Sequence, residues 1–428
     1  MKTLHTLFFI TFLSINTAVL FAQTWSPVST GMSLYHVNVL DTFNSGLYAG
    51  GRFSSAGGNA ANNIAKWDGT TWSAAGSGLG ADVFSLAVYN GKLAAGGQGV
   101  ANWDDINWSS PGVQVGGYAG VVYALAVYNS DLYLGGDFIE AGNRAYTQYI
   151  AKWNGDSCFS MGGTGSNSIV DAFAVYNSEL FIGGDFTIAG GINANCIAEW
   201  NGTTMSAVGT GMNGSSNICT LTVYNSELYA GGTFTNAGGV SANNIAKWNG
   251  TNWSAVGGGM NAVVRSLAVY NGELYAGGDF TTADGNPANR IAKWNGSSWS
   301  AVGTGTDSTV LALAVYNSDL YVGGAFALAG GVTANYIAKW NTPLGIQNNF
   351  INNSINIYPN PTNGRFLIKS NSNEKCILHI IDINGRVVLN QMLFGSSTID
   401  ANNLAQGVYN ICLISPEERI NKRLVIVK

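Results

Sequence analysis

Histidine is almost missing from this chain, with three residues in 428 at His5, His36 and His379. A histidine-built zinc site needs several of them together, and a Ser-His-Asp triad needs one beside its nucleophile. Trimming at both ends, as argued below, would leave His36 alone, so both chemistries are set aside. The five cysteines, Cys158, Cys196, Cys219, Cys376 and Cys412, show no Cys-x-x-Cys spacing, which argues against a thiolate zinc site. On strand-like sequence they read as buried thiols, with a Cys376–Cys412 disulfide left open in an exported protein. Charge is scarce too. Only 10% of residues are charged, against 46% hydrophobic and 11% aromatic. That is ample apolar surface for a core, and Asn, Ser, Thr and Gly must supply solubility. A basic stripe is also lacking. Residues 355–428 hold 8 basic and 5 acidic residues, while residues 23–354 hold 10 basic and 19 acidic. An acidic body argues against nucleic acid and against anionic membrane surfaces. Beyond Phe21 no apolar run could cross a membrane as a helix. Glycine-rich stretches such as Gly257-Gly-Gly259 precede no readable helix, so a phosphate cradle is not expected.

What is abundant is repetition. Residues 267–303 read LAVYNGELYAGGDFTTADGNPANRIAKWNGSSWSAVG, and variants recur through the first 340 or so residues. Four β-type runs lie in each unit: LAVY, ELYAGGDF, RIAKW and SWSAVG. Asn271-Gly272 separates the first two and Asn295-Gly296 the last two. Asn-Gly is a strong hairpin signal because both central residues of a type I′ turn need positive φ. Four strands at a period of about 46 residues mark one propeller blade. Leu-x-x-Gly-Gly occurs seven times, ending at Gly51, Gly97, Gly136, Gly184, Gly232, Gly278 and Gly324. The third-strand tryptophan also occurs seven times, from Trp67 to Trp340. The fourth-strand position follows it only six times, as Trp72, Trp108, Phe159, Met205, Trp253 and Trp299. The missing copy lies at the other end, where Trp25-Ser-Pro-Val-Ser-Thr-Gly-Met32 matches Met205 to Met212. The expectation is an all-β, seven-bladed propeller whose N-terminal strand closes the last blade and removes open edges.

Around this body the chain divides as follows. Residues 1–22 have a short polar start, an apolar run from Leu7 to Phe21 and a small residue, Ala22, and so read as a secretory signal peptide. Residues 23–343 form the propeller and 344–354 a polar linker. From 355 to 428 the period vanishes and strands alternate as in a small β-sandwich. This tail carries Tyr358-Pro359-Asn360-Pro361 with Gly364, then Asp382-Ile-Asn-Gly385-Arg386, Gly407-Val-Tyr409 and a terminal Lys428.

Those spaced motifs resemble the type A C-terminal sorting domain of the Bacteroidota type IX secretion system. The resemblance implies export across the outer membrane, partnership with that machinery and a sortase-like peptidase, and then release or surface attachment. The repeats resemble kelch-like propellers and fungal cortical polarity-marker proteins, a likeness that implies no activity and no cofactor.

Residues present in every blade are placed by the fold, since seven equivalent positions cannot be one active site. Asp137, Asp185 and Asp279 recur after Gly-Gly and lysines recur before the third-strand tryptophan. A pairing between them fails at Asp185 with Glu199 and at Ala325 with Lys339, so rim positions are expected. The informative residues break the repeat. Two before the recurring leucine of the innermost strand, with the first unit aligned by its Val37 and Val39, stand Tyr35, Phe84, Tyr123, Asp171, Cys219, Arg265 and Leu311. Of these, Tyr35, Phe84, Tyr123, Asp171 and Arg265 are the candidate ligand-binding residues, and Asp171 could also pair with Arg265. No catalytic or metal-binding set stands out. The reading is a secreted or cell-surface, non-enzymatic binding or adhesion protein, with a glycan or surface protein as ligand. The alternative is a secreted carbohydrate-active hydrolase or lyase, which a pair of carboxylates in one pocket would favour.

Overall fold

A computed structural model describes residues 24–341, apart from 111–112, 118–119 and 214–215. It also describes 356–428, apart from 370–374, 383–386 and 415–418. The signal peptide, the linker, Gly385 and Arg386 therefore lie outside the described residues. Gln23–Thr342 and Pro343–Lys428 belong to separate compact units, taken in turn here.

The first unit is all β, with seven four-stranded antiparallel sheets among the described residues, numbered 1 to 7 by their first strands His36–Phe43, Ser85–Tyr89, Val121–Tyr128, Val170–Tyr176, Asn217–Tyr224, Val264–Tyr270 and Val310–Tyr316. Sheet 6 shows the plan: Val264–Tyr270, Glu273–Gly278, Ile291–Trp294 and Trp299–Ala301 lie side by side in chain order. Asn271 and Gly272 have φ of 50° and 76°, as a type I′ turn requires. Asn-Ser fills the same turn in sheets 1, 3, 4, 5 and 7, again with positive φ at both residues. The second Asn-Gly works differently from expectation. Trp294 pairs with Trp299, which leaves a four-residue loop, and Asn295 Oδ1 accepts from the N–H groups of Ser297 and Ser298. It is an Asx turn in which only Gly296 has positive φ.

Each Gly-Gly is explained by close approach, since neither glycine of the pair has positive φ. A Cβ on the first would meet the inner-strand valine or isoleucine of the next sheet: Gly231 against Val264 at 2.5 Å and Gly277 against Val310 at 2.3 Å. The series steps through all seven sheets and ends with Gly323 against Val37 of sheet 1. A Cβ on the second would strike a backbone carbonyl at or just before the start of its own inner strand, as one on Gly278 would meet Val263 O at 2.0 Å.

Apolar cores form between consecutive sheets, and one of them joins sheet 7 to sheet 1. Trp67 Nε1 donates to Tyr321 Oη at 3.1 Å, and Tyr316 Oη to Ser45 O at 2.8 Å, across that last junction. The outer strand of sheet 7 is Thr24–Pro27, antiparallel to Ile337–Asn341 with Trp25 opposite Trp340. In sheet 3 the residue opposite Trp153 is Cys158, not Phe159. Cys158 is buried and Phe159 is 43% exposed, so the thiol fills the slot that tryptophan holds elsewhere.

In the second unit, sheets of three and four strands share one apolar core that includes Phe366, Leu378, Ile380, Ile399, Ile411 and Leu424. All five cysteines are free thiols, Cys376 and Cys412 included.

Candidate binding site

The varied ring coincides with a β-bulge. In sheet 6 the ladder pairs Val264 with Gly278 and Ser266 with Gly277, which leaves Arg265 as the extra residue. Tyr123, Asp171, Cys219 and Leu311 are the extra residues of sheets 3, 4, 5 and 7. Phe84 holds the same place just before Ser85, which pairs with Gly96. A bulged residue is unpaired in the ladder and its side chain is re-aimed, so the position is free to vary. Sheet 1 corrects the sequence alignment. Its bulge lies between Val37 and Val39, so the ring position is Asn38 and Tyr35 stands three residues earlier. Tyr35 lies outside the strand His36–Phe43, 55% exposed, with the Arg52 guanidinium 4.4 Å from its ring centre.

Phe84 and Tyr123, from adjacent sheets, meet edge to face with ring centres 5.2 Å apart. Asp171 and Arg265 do not pair. The Arg265 guanidinium donates through Nε and Nη2 to Asp279 Oδ2 at 3.0 and 2.7 Å. Thr309 Oγ1 donates to Asp279 Oδ1 at 2.8 Å and holds that carboxylate in place. Burial pushes the Asp279 carboxyl up, but the bonds from Arg265 and Thr309 outweigh it and leave the pKa below its usual value. Asp171 accepts from Asn217 Nδ2 at 2.9 Å. Its pKa stays raised because burial outweighs that bond, and the charge of Asp185 adds to the shift. A pocket beside it is lined by Asp185, Thr187, Asn195, Cys196, Met212, Asn213 and Ser216. Burial holds the Cys196 and Cys219 thiols at about 12, too high to serve as nucleophiles near neutral pH. Among the described residues no group of three or more His, Cys, Asp or Glu is placed to hold a metal ion.

One repeat-breaking residue escaped the sequence reading. Asp41 stands where the other inner strands carry Ala87, Ala126, Ala174, Thr222, Ala268 and Ala314. Burial lifts its pKa to about 6, against the opposing bond from the Thr42 N–H. Comparing the alanine column rather than the leucine column would have found it.

The recurring lysines pair with the residue that opens the second strand. Lys152–Asp131, Lys247–Glu227, Lys293–Glu273 and Lys339–Asp319 lie at 2.7–3.0 Å. Sheet 1 has Gly46 at the acidic place, and Asp105 of sheet 2 reaches Lys66 at 3.1 Å instead. Thus the irregular Trp103-Asp-Asp segment supplies its neighbour's missing partner. Sheet 4 has Glu199 in the lysine place. Burial first, and then the charge of Glu179, raise its pKa.

In the tail, Asn360 bonds to the Arg419–Ile426 strand, Tyr409 Oη donates to Ala405 O, and Lys428 Nζ donates to Asn402 O. Gly364 has φ of 127° and packs so closely that a Cβ would meet Asn402 Oδ1 at 2.2 Å. Tyr358 is 74% exposed.

Residues 356–427 match the family described as the secretion system C-terminal sorting domain. Residues 271–297, within sheet 6, match a domain of unknown function (DUF5122) described as a β-propeller. No curated protein matches the chain. Among solved structures, the chain is similar to the extracellular domain of a one component system from B. thetaiotaomicron. That likeness has 11% identity over 94% of this chain and 75% of that one, at a TM-score of 0.24. A quinonprotein alcohol dehydrogenase-like protein from Bacteroides thetaiotaomicron gives 12% over 73% and 68%, at 0.36. An α-L-arabinofuranosidase from Clostridium thermocellum gives 10% over 71% and 87%, at 0.25. At these TM-scores the likenesses bear on neither site nor activity. The chain carries a β-propeller and a type IX sorting domain, and it is exported to the cell surface or secreted.

Proposed function

We propose that this chain is a non-enzymatic recognition protein, a closed seven-bladed, kelch-like propeller that binds one ligand at the bulge end of its channel. In this reading residues 1–22 are a signal peptide, 23–343 the propeller and 344–354 the linker. The sandwich of 355–428 is removed after it has directed export. The closed ring draws support from the Gly323–Val37 approach, from the core shared by sheets 7 and 1, and from Thr24–Pro27 pairing with Ile337–Asn341.

The observation that carries the binding reading is the ring of bulge residues. The framework around it hardly changes from sheet to sheet, yet this position runs Asn38, Phe84, Tyr123, Asp171, Cys219, Arg265 and Leu311. One ligand needs a site that breaks sevenfold sameness, and this ring breaks it with an aromatic pair and fixed polar groups. Aromatic faces with a few oriented polar groups are how concave sites hold a sugar or a small ligand. Recognition is favoured over turnover because the thiols are held protonated and Arg265 is neutralised by Asp279. Asp171 is also the one carboxyl in the ring.

The exported protein, screened on glycan arrays and against surface proteins of its own host, is expected to give a ligand. Tyr123→Ala and Arg265→Ala should each then weaken binding by about 1–2 kcal/mol with an unchanged melt. Full affinity in both variants would place the site elsewhere, and measured turnover of the ligand would overturn the non-enzymatic reading.

A further inference from the structure

The four-stranded sheet of the C-terminal unit treats its two edges differently. In space it runs Val387–Phe394, Lys375–Ile381, Gly407–Ile414 and Arg419–Ile426. The Arg419–Ile426 edge is covered. Asn360 donates from Nδ2 to Arg423 O at 2.6 Å and accepts at Oδ1 from the Val425 N–H at 2.9 Å. One side-chain amide thus takes the place of a neighbouring backbone. Thr362 extends the cover, since its N–H donates to Val425 O and its carbonyl accepts from the Val427 N–H. Lys422 and Arg423 stand exposed on the same strand, the kind of charge with which natural sheets blunt an edge.

Val387–Phe394 has none of this protection among the described residues. Among the described residues it pairs with Lys375–Ile381 alone. Its eight residues read VVLNQMLF, without charge or proline. Val387, Met392 and Phe394 are 50%, 49% and 65% exposed. A long, uncharged edge turns every second backbone N–H and C=O outward and accepts an added strand readily.

We infer that Val387–Phe394 is where the export machinery engages this tail, by laying an extended segment of its own along the bare edge. The inference rests on the export reading of residues 356–427, which supplies the class of partner. The chemistry of the edge supplies the kind of segment: uncharged, β-branched or aromatic on the side that meets Met392 and Phe394. The sorting motif fits this division, because Asn360 closes one edge and leaves the other as the sheet's free strand.

The test uses the full chain in its own host. Met392→Lys with Phe394→Lys gives the bare edge the protection its opposite already has. Surface delivery is expected to fall at least tenfold, with unprocessed chain held in the periplasm, while Lys422→Glu on the covered edge exports normally. A photo-crosslinking residue at Phe394 should capture a component of the secretion machinery, and the same residue at Lys422 should not. That measurement decides the matter if the double variant fails to fold. Normal export of a folded double variant, equal crosslinking from both edges, or crosslinking at Phe394 only to a second copy of this chain would overturn the proposal. Export of a chain lacking residues 355–428 would instead sink the sorting role itself, and so separates the two failures.

Discussion

Truncating Trp25 to alanine tests how much the N-terminal strand contributes to the first unit. The Trp25 ring lies 5.2 Å from that of Trp340, and its Nε1 donates to Val302 O at 3.1 Å in sheet 6. Removing a fully buried tryptophan costs about 3–5 kcal/mol, of which an aromatic pair accounts for about 1 and a lost hydrogen bond for about 1. Trp25 is only partly buried, which brings the expected loss to about 3 kcal/mol. Trp72 in sheet 1 is the internal standard, 2% exposed with Nε1 donating to Val28 O at 3.2 Å, and Trp72→Ala should cost about 4 kcal/mol. Both are measured by urea unfolding of the full chain and by calorimetry. In a unit this large about 3 kcal/mol is worth about 5 °C of melting temperature. Deleting Thr24–Pro27 should do more, since Ile337–Asn341 becomes an unpaired edge prone to aggregate. A Trp25→Ala protein within about 0.5 kcal/mol of the parent, or a deletion that melts with the parent, would refute the idea that this strand completes the ring.

Asp41 should make stability depend on pH. Its folded pKa of about 6 lies above the ordinary 3.8, so the folded state holds the proton more tightly and loses that advantage as pH rises between the two values. Asp41→Asn should therefore gain on the wild type from pH 4 to 6, reaching about 1–2 kcal/mol once solvent screening is allowed for. Denaturation at pH 4 and pH 7 reads it, and an equal difference at both refutes it. Glu199→Lys should restore the pair with Glu179 that other sheets have, raising stability at pH 7 by about 0.5–1 kcal/mol. Lys247→Glu in sheet 5 should lose a similar amount, and a neutral result in both would mean the outer pairs are solvent-screened. Intact-mass analysis of surface or released protein from its own host should find the tail absent, and Lys428 still attached would refute processing.

The repeat count, the strand order within a unit and the outer strand at residues 24–27 could be read from sequence because each rests on local pattern. Leu-x-x-Gly-Gly and the tryptophan recur at a steady period, and Trp25-Ser-Pro-Val-Ser-Thr-Gly-Met32 carries the register of the strand it replaces. The sorting motif was legible in the same way. The chemistry at the bulge positions was not, because it depends on which backbone atoms pair. The bulge opposite Gly-Gly adds one residue to six of the seven inner strands, which puts Asn38 rather than Tyr35 at the bulge position of sheet 1. Arg265 takes Asp279 of its own sheet rather than Asp171, since the second strand brings that carboxylate to 2.7 Å. Asp105 serves Lys66, 39 residues away, only because neighbouring sheets stand face to face. Periodicity and turn chemistry belong to the chain alone, whereas register across a ladder and contact between sheets exist only once the sheets have packed.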